Sequence, residues 1–509
     1  MSRIKNSIRN ASISLLSQFI ILAMQVYTRR LFIKYLSIDY LGCNSLFSNI
    51  FSCMAIFEAN SGALFSYMMY QAIANRDNKK ICKILQLNKI YNWIMGGIIV
   101  LLTIPIYFFL PQLVKNTTNF SWSFLRMIFL LYLVKVELGL VFGYFQLVFD
   151  THQRNYVCSF GNAVKNIIVG ITQIVAIVVF RSYVTYLIVE LAGYFLYYLF
   201  IRVYAKQQYR YLKEKTRIDR EFIRETGIFG EIKNGIVHKV AHTIYGGTDS
   251  LVISAFLGLR DNALYSNYLL LRTQVVTLFS DKIMNSMAAS IGNYIYDDQK
   301  SGDNKKMFYT LDILGYLMAS FCAFSFCLLC EPFICVIWGD NLLLGKGCLF
   351  AEAILIYLSV VSSPWSMFRN SYGNYKIDRN LVLMSAIVNV AMSLILVKYF
   401  GIIGILIGTA FGDLFQIAGY LKVVFLMQQD IQKKKFVLKQ ITRGLGTIVE
   451  IIAAYYACSI FLKNDLWGLV IRTVACVFIP NIINLILFGK REECIALKRY
   501  ILQIVKRKG

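Results

Sequence analysis

The sequence predicts an all-α integral membrane protein of about fourteen transmembrane helices. Three observations carry that prediction. Hydrophobic residues make up 57% of the 509-residue chain and charged residues only 16%, whereas soluble domains average about 45–50% and about 25%. Apolar runs long enough to cross a bilayer, which needs about 20 residues, recur along the chain. The basic residues gather in alternate loops between those runs.

The runs lie near 10–36, 41–70, 90–111, 121–148, 156–180, 183–203, 229–257, 262–291, 307–338, 347–373, 380–399, 402–427, 440–462 and 466–488. The first is too long for the apolar region of a cleaved signal peptide and lacks a small-residue cleavage site, so it reads as a retained helix. The second and ninth are long enough to be bent or strongly tilted. An even number of spans places both ends on one side, and the positive-inside rule selects the cytoplasm. Lys and Arg crowd the N-terminal segment, the 76–89 and 204–228 loops, the Lys433–Lys435 run and the C-terminal tail. The opposite loops hold seven, namely Lys34, Lys115, Arg181, Arg260, Lys346, Lys398 and Lys463, against more than thirty on the inner side.

The basic segment 206–228 divides the chain. The expected organisation is a six-helix lobe at 1–205, that linker, a second six-helix lobe at 229–428, and a final helix pair with a basic tail at 429–509. A weak internal echo supports two like-oriented repeats. FDTHQRNY (149–156) resembles FRNSYGNY (368–375), and LFIKYL (31–36) resembles LVISAF (251–256). Repeats with an even number of spans share one orientation, about an axis along the membrane normal.

The net charge of +25 does not indicate nucleic acid, because the cations sit in short loops between apolar spans and not on one soluble face. Cys327-Leu-Leu-Cys330 lies mid-helix with no second pair, and the twelve cysteines read as small apolar packing residues; no metal site and no cofactor is expected. There is no P-loop, no G-x-S-x-G and no HExxH, which excludes nucleotide hydrolysis and the familiar hydrolase sites. Transport would draw on an ion gradient, the membrane potential or the cargo's own gradient.

Ionisable residues at bilayer depth mark candidate sites, since a charge facing lipid there costs at least about 2.5–3.5 kcal/mol. On a helix through 231–254, Glu231, His238, His242, Tyr245 and Asp249 fall within a sector about 60° wide, flanked by Lys239. Ser14, Gln18, Gln25 and Arg29 share a stripe on the first helix, with Arg30 beside it. Further intramembrane charges include Glu58, Arg126, Lys135, Glu137, Lys165, Glu190, Arg272, Asp281, Lys282, Arg369, Asp413, Lys422 and Glu450. Cations are well represented in the first half and near the start of the second, so a cavity between the halves would be at least partly cationic and suit an anionic guest, phosphate above all. Plainer readings stand beside this one. Arg29, Arg30, Lys135, Lys165 and Arg272 could snorkel or form structural ion pairs, a reading that weighs more for Lys165, Lys282 and Lys422, which lie nearer helix ends. Lys135 and Glu137 could be turned to different neighbours. His238 and His242 could simply pack, and Lys239 opposes a cation between them. Asp249 could neutralise a lysine or titrate with a coupling cation.

TRRLFIKYLSIDYLGCNSLFSNIF (28–51) and HKVAHTIYGGTDSLVISAFLGLRDNALYSNYLL (238–270) resemble the first-helix and the seventh- and eighth-helix segments of bacterial polysaccharide flippases. Those proteins belong to the multidrug/oligosaccharidyl-lipid/polysaccharide (MOP) exporter superfamily. The resemblance implies a MATE-like, V-shaped pair of six-helix lobes working by alternating access. It implies as cargo an oligosaccharide on undecaprenyl pyrophosphate, flipped across the bacterial cytoplasmic membrane for surface-polysaccharide assembly, with no enzymatic activity. Together with the intramembrane charges it gives the expectation of substrate binding by Arg29, Arg30, His238, Lys239, His242 and Arg272, and of sodium or proton coupling through Glu58 or Asp249. Arg29, Glu58, His238, Lys239, Thr248 and Asp249 match the family's pattern. FEANSG at 57–62 departs from the glycine usual after the acid. Membrane lipid, a polysaccharide polymerase and glycosyltransferases are the partners implied. The competing expectations are a multidrug exporter of the same fold, a membrane glycosyltransferase or polymerase, which the short outer loops disfavour, and a passive scaffold.

Overall fold

The computed structural model describes residues 21–54, 61–114, 120–213, 219, 222, 247–284, 304–372, 377–495 and 498. Among them the chain is helical throughout, with no strand. In chain order the helices are α1 (21–35), α2 (Ile38–Met54), α3 (Ser61–Ala74), α4 (Asn78–Leu113), α5 (Trp122–Phe142), α6 (Gln146–Thr151), α7 (Tyr156–Val178), α8 (Tyr183–Gln208), α9 (247–256), α10 (Leu259–Val276), α11 (Asn304–Ile337), α12 (Lys346–Val361), α13 (Ser363–Tyr372), α14 (Arg379–Phe400), α15 (Ile402–Met427), α16 (Lys433–Phe461) and α17 (Leu466–Phe488). A π-helical stretch, Thr277–Met284, continues α10.

Local chemistry sets several starts. Ser121 and Ser182 accept from the backbone N–H of Phe124 and Thr185 at the heads of α5 and α8, and Asp77 and Asp465 do the same for Lys80 and Gly468. Each satisfies one of the N–H groups that a helix start leaves without an intrahelical partner.

Nine helical segments among the described residues are long and apolar enough to cross a bilayer. The helix α5 is comparable in length, at 21 residues, but carries Arg126, Lys135 and Glu137. Other expected spans run into residues outside those described. Apolar side chains cover the outer faces of the helices, with Phe461 at 82% and Trp467 at 75% exposure. A large apolar exterior of this kind requires lipid around it, so this is a multi-pass membrane protein.

The chain packs as two compact units, Met1–Ala263 and Leu264–Gly509. In the first, aliphatic side chains fill most of the core and aromatic ones link its helices. Phe32 of α1 meets Tyr183 and Tyr186 of α8 edge-on at 5.5 and 5.4 Å, and Phe47 and Phe51 of α2 pack on Phe129 of α5. In the second, α11 is the central post, and α12, α16 and α17 all pack along it.

Buried polar groups pin the final pair to that post. Asp312 on α11 accepts from Arg443 Nη1 at 2.8 Å, from Gln440 Nε2 at 2.9 Å and from Trp365 Nε1 at 3.0 Å. Asn484 of α17 donates to Ser320 Oγ at 2.9 Å, and Tyr455 of α16 donates to Glu331 at 2.9 Å. Removing one donor from a buried carboxylate exposes its desolvation cost. Tyr455→Phe is therefore expected to destabilise the protein by about 1–3 kcal/mol, read as a lower melting temperature in detergent. An unchanged value would show that Glu331 gains nothing from the phenol.

Candidate functional site

A cluster of charges in the first unit forms at the meeting of three helices, α5, α7 and α8. Lys135 Nζ on α5 lies 2.7 Å from Glu190 Oε1 on α8. Lys165 on α7 sits 3.7 Å above the ring of Tyr194, which also lies 5.5 Å from Lys135 Nζ. Tyr197 is 5.7 Å from Lys165 and Tyr132 is 5.5 Å from Lys135. Tyr132 hydrogen-bonds Asn44 of α2, and its hydroxyl is 3.3 Å from that of Tyr183. Among the described residues no carboxylate lies within 4 Å of Lys165 Nζ. Only one of the two ammonium groups there is therefore paired with a carboxylate.

The electrostatics follow from placement. The ammonium of Lys165 is held by the negative face of an aromatic ring, worth up to about 2 kcal/mol when desolvated. Lys135 and Glu190 keep side-chain exposures of 26% and 19%, so their pair is only partly closed off. The hydroxyl of Tyr186 lies within electrostatic range of Arg29, Lys135 and Glu190, which joins α1 to the cluster. Among the described residues the patch is lined by tyrosines and holds Lys135, Lys165 and the acid Glu190.

The residues expected from sequence fall in several places. Arg29 is half-buried next to this patch, and its neighbour Arg30 is exposed. Arg272, in the second unit, donates to Glu352 at 2.8 Å and to Tyr265 Oη at 3.2 Å, and Glu352 is fully buried. Its charge is thus neutralised within the unit. Glu58, His238, Lys239 and His242 lie outside the described residues, as do Ser14 and Gln18 of the first-helix stripe.

Asp249 is 5% exposed and belongs to a tight seam between α9 and α2. The Ser45 and Ser250 hydroxyls are 3.3 Å apart, and Asn49 Nδ2 donates to Ser250 Oγ at 2.8 Å. Asn262 at the head of α10 donates to the Gly42 carbonyl at 3.1 Å. The backbones approach closely because the contact residues are small: a Cβ on Gly42 would lie 2.0 Å from the Leu259 carbonyl oxygen, and one on Gly247 would lie 2.1 Å from Cys53 Sγ. Small residues at helix crossings and short polar side chains between them are the usual means of holding membrane helices together.

Two expectations for individual charges meet the structure directly. Lys165 does not snorkel from a helix end. It is the tenth residue of a 23-residue helix and is 9% exposed. Lys135 and Glu137 do turn to different neighbours: Lys135 goes to Glu190, whereas the Glu137 carboxylate lies against Gly96 of α4. The signal that would have assembled the cluster from sequence is on α8. Tyr183, Tyr186, Glu190, Tyr194 and Tyr197 fall within a stripe about 80° wide, an aromatic face with a single acid at its centre.

No family model matches the sequence, and no curated protein matches it. Solved structures do. The lipid II flippase MurJ in an inward closed conformation aligns with a TM-score of 0.69 at 14% identity, over 94% of this chain and 98% of that one. An inward-facing multidrug resistance MATE family transporter of the MOP superfamily aligns at 0.60 and 16% identity, over 82% and 98%. A MOP superfamily transporter from Pyrococcus furiosus, described as having a binding pocket of reverse polarity, aligns at 0.53 and 12% identity, over 84% and 96%. The fold is therefore that of the MOP transporters.

Proposed function

We propose that this protein is a flippase of the MOP type. In this reading it carries the head group of an undecaprenyl-pyrophosphate-linked oligosaccharide across the cytoplasmic membrane by alternating access. One observation supports it above the others: among the described residues Lys135 and Lys165 both approach the Tyr194 ring while only Lys135 is paired with a carboxylate, and Arg29 stands on a neighbouring helix. An excess of cations in a tyrosine-lined setting suits a pyrophosphate flanked by sugar rings. Charge-assisted hydrogen bonds hold the phosphates, and aromatic faces meet the apolar faces of sugars.

The reading takes the chain as about fourteen spans, with both termini in the cytoplasm. Like-oriented lobes at 1–205 and 229–428 are joined by 206–228, and 429–509 adds the last pair. On that layout the seam between α2 and α9 is a contact between lobes near the outer face, and it must part for release. Arg30, His238, Lys239 and His242 join Arg29 in receiving the head group, and Arg272 does so only on leaving Glu352. Glu58 or Asp249 takes up the coupling sodium ion or proton. The lipid chain stays in an apolar setting throughout. A cleft of about 400 Å³ walled by α12, α13, α15 and α16, with Leu358, Ile417, Leu421 and Ile448 among its lining, offers such a surface.

A multidrug exporter of the same fold is the second reading, favoured by the same tyrosines, which would stack on cationic aromatic compounds. The positive excess opposes it, because like charges repel most strongly where water is scarce. Reconstitution separates the two. Liposomes holding the protein should translocate a labelled polyprenyl-pyrophosphate oligosaccharide, and a sodium or proton gradient should alter the rate. Liposomes that instead move ethidium-like cations and leave the lipid-linked sugar in place would overturn the flippase reading.

A further inference from the structure

We infer that the cleft between α16 and α17 is a seat for an anionic phospholipid, separate from any cargo site. The two helices diverge, each packing on α11, and leave between them a cleft of about 480 Å³ with Tyr316 of α11 at its wall. That volume is in the range of sites for small molecules, roughly 300–1,000 Å³. Its lining is amphipathic along its length. Lys435, Lys439 and Arg491 stand at the end where α16 begins and α17 finishes, with Leu438, Leu487 and Phe488 beside them, and Arg443, Gly446, Ile483 and Glu450 lie further in.

The charge at the mouth is not cancelled within the protein. Lys439 is held by Glu493 at 2.7 Å, and Arg443, deeper in, is held by Asp312 at 2.8 Å. Among the described residues no carboxylate lies within 4 Å of Lys435 Nζ or of the Arg491 guanidinium, which instead rests 4.9 Å from the Phe488 ring. Glu450 also lines the cleft, but it follows Lys435 by fifteen residues, about 22 Å along the helix axis. An acid that far from the mouth does not offset the cations there. Among the described residues the mouth therefore presents two cations without a carboxylate partner and one ion-paired lysine to a phosphate. The apolar part then takes the first carbons of an acyl chain.

A free inorganic anion would use only the mouth. A phospholipid uses both parts, and this mouth opens where the Lys433–Lys435 run meets the membrane surface. The seated lipid would fill the gap beside the contact that Arg443 of α16 makes with the Phe488 ring of α17 at 5.5 Å, tying the final pair together.

The test is lipid binding to the full-length protein in phosphatidylcholine nanodiscs, titrated with phosphatidylglycerol and followed by native mass spectrometry and melting temperature. Phosphatidylglycerol should bind and raise the melting temperature; added phosphatidylcholine should not. Lys435→Gln with Arg491→Gln should weaken binding about 25-fold, since each basic residue near an anionic headgroup contributes about fivefold. The exposed pair Lys433→Gln and Lys434→Gln, outside the cleft, should weaken binding of every anionic lipid alike and by less than the cleft pair does. Gly446→Leu gives an independent check. A Cβ there meets nothing within 4 Å, so the side chain grows into the cleft without disturbing the helices. It should displace the lipid with every charge in place. Equal binding of both lipids, full protection by inorganic phosphate alone, or binding that survives Gly446→Leu would each overturn the assignment.

Discussion

Transport should stop when positions 45 and 250 are joined by a disulfide and resume when the bond is reduced. The two serine hydroxyls are 3.3 Å apart across the α2–α9 seam, and both residues are buried. Cysteine sulfurs placed there need to close to about 2.05 Å, which a small shift of the two side chains provides. The seam runs from Gly42 against Leu259 to Cys53 against Gly247. Eleven residues of α2 separate its ends, about 16 Å of helix. A covalent link within it prevents the helices from separating at all. Alternating access on the proposed layout requires that separation once per cycle, so the expected effect is complete loss, not a slower rate. Ser45→Cys and Ser250→Cys alone are the controls, because Cys43 and Cys53 already lie on α2 and Cys53 is near Gly247. Both single variants should transport normally under oxidising conditions. A fully crosslinked protein that still flips its cargo would show that this seam never opens, and the alternating-access reading would fall with it.

The same seam shows what the sequence made legible. The two segments that carry the family resemblance, 28–51 and 238–270, contain Gly42, Ser45, Asn49, Gly247, Ser250 and Asn262, and the structure packs the described parts of those segments together. Within them Asp249 drew notice because a charge in an apolar run is conspicuous. The residues that make the contact are small and neutral, and no hydropathy argument singles them out. Spans are legible for a simple reason: every backbone polar group in lipid must be satisfied within its own helix, so length and apolarity nearly determine the element. Pairing is not legible, because it depends on how helices rotate against one another. Arg272 shows this. As a lone arginine in an apolar span it resembled a ligand for an anion, yet its partner Glu352 is eighty residues away on α12. Lys165 shows the reverse. A lysine read as reaching for the membrane surface is instead enclosed against Tyr194. The periodic tyrosines of α8 were the available clue, and they carry information only once α7 is known to lie beside them.

Lys165→Met decides whether the α5–α7–α8 cluster serves structure or cargo. The two roles predict opposite combinations of stability and transport. A buried ammonium with no carboxylate within 4 Å among the described residues carries a desolvation cost that no ion pair offsets, so an apolar chain of similar size should be tolerated there. The change also leaves the Lys135–Glu190 pair intact, so no new uncompensated charge arises. Melting temperature is therefore expected to hold or rise. Transport is expected to fall, because a hydrogen bond from a charged donor to a phosphate oxygen contributes about 1.5–3 kcal/mol, which corresponds to a loss of roughly 10- to 150-fold in apparent affinity. Lys165→Arg should retain part of the activity, since it keeps the charge and the stacking on Tyr194. The readout is initial flipping rate against cargo concentration in liposomes, alongside thermal unfolding of the same preparations. Unaltered transport with a large loss of stability would make Lys165 a packing residue held by its tyrosine, and the cationic patch would then be a feature of the fold alone.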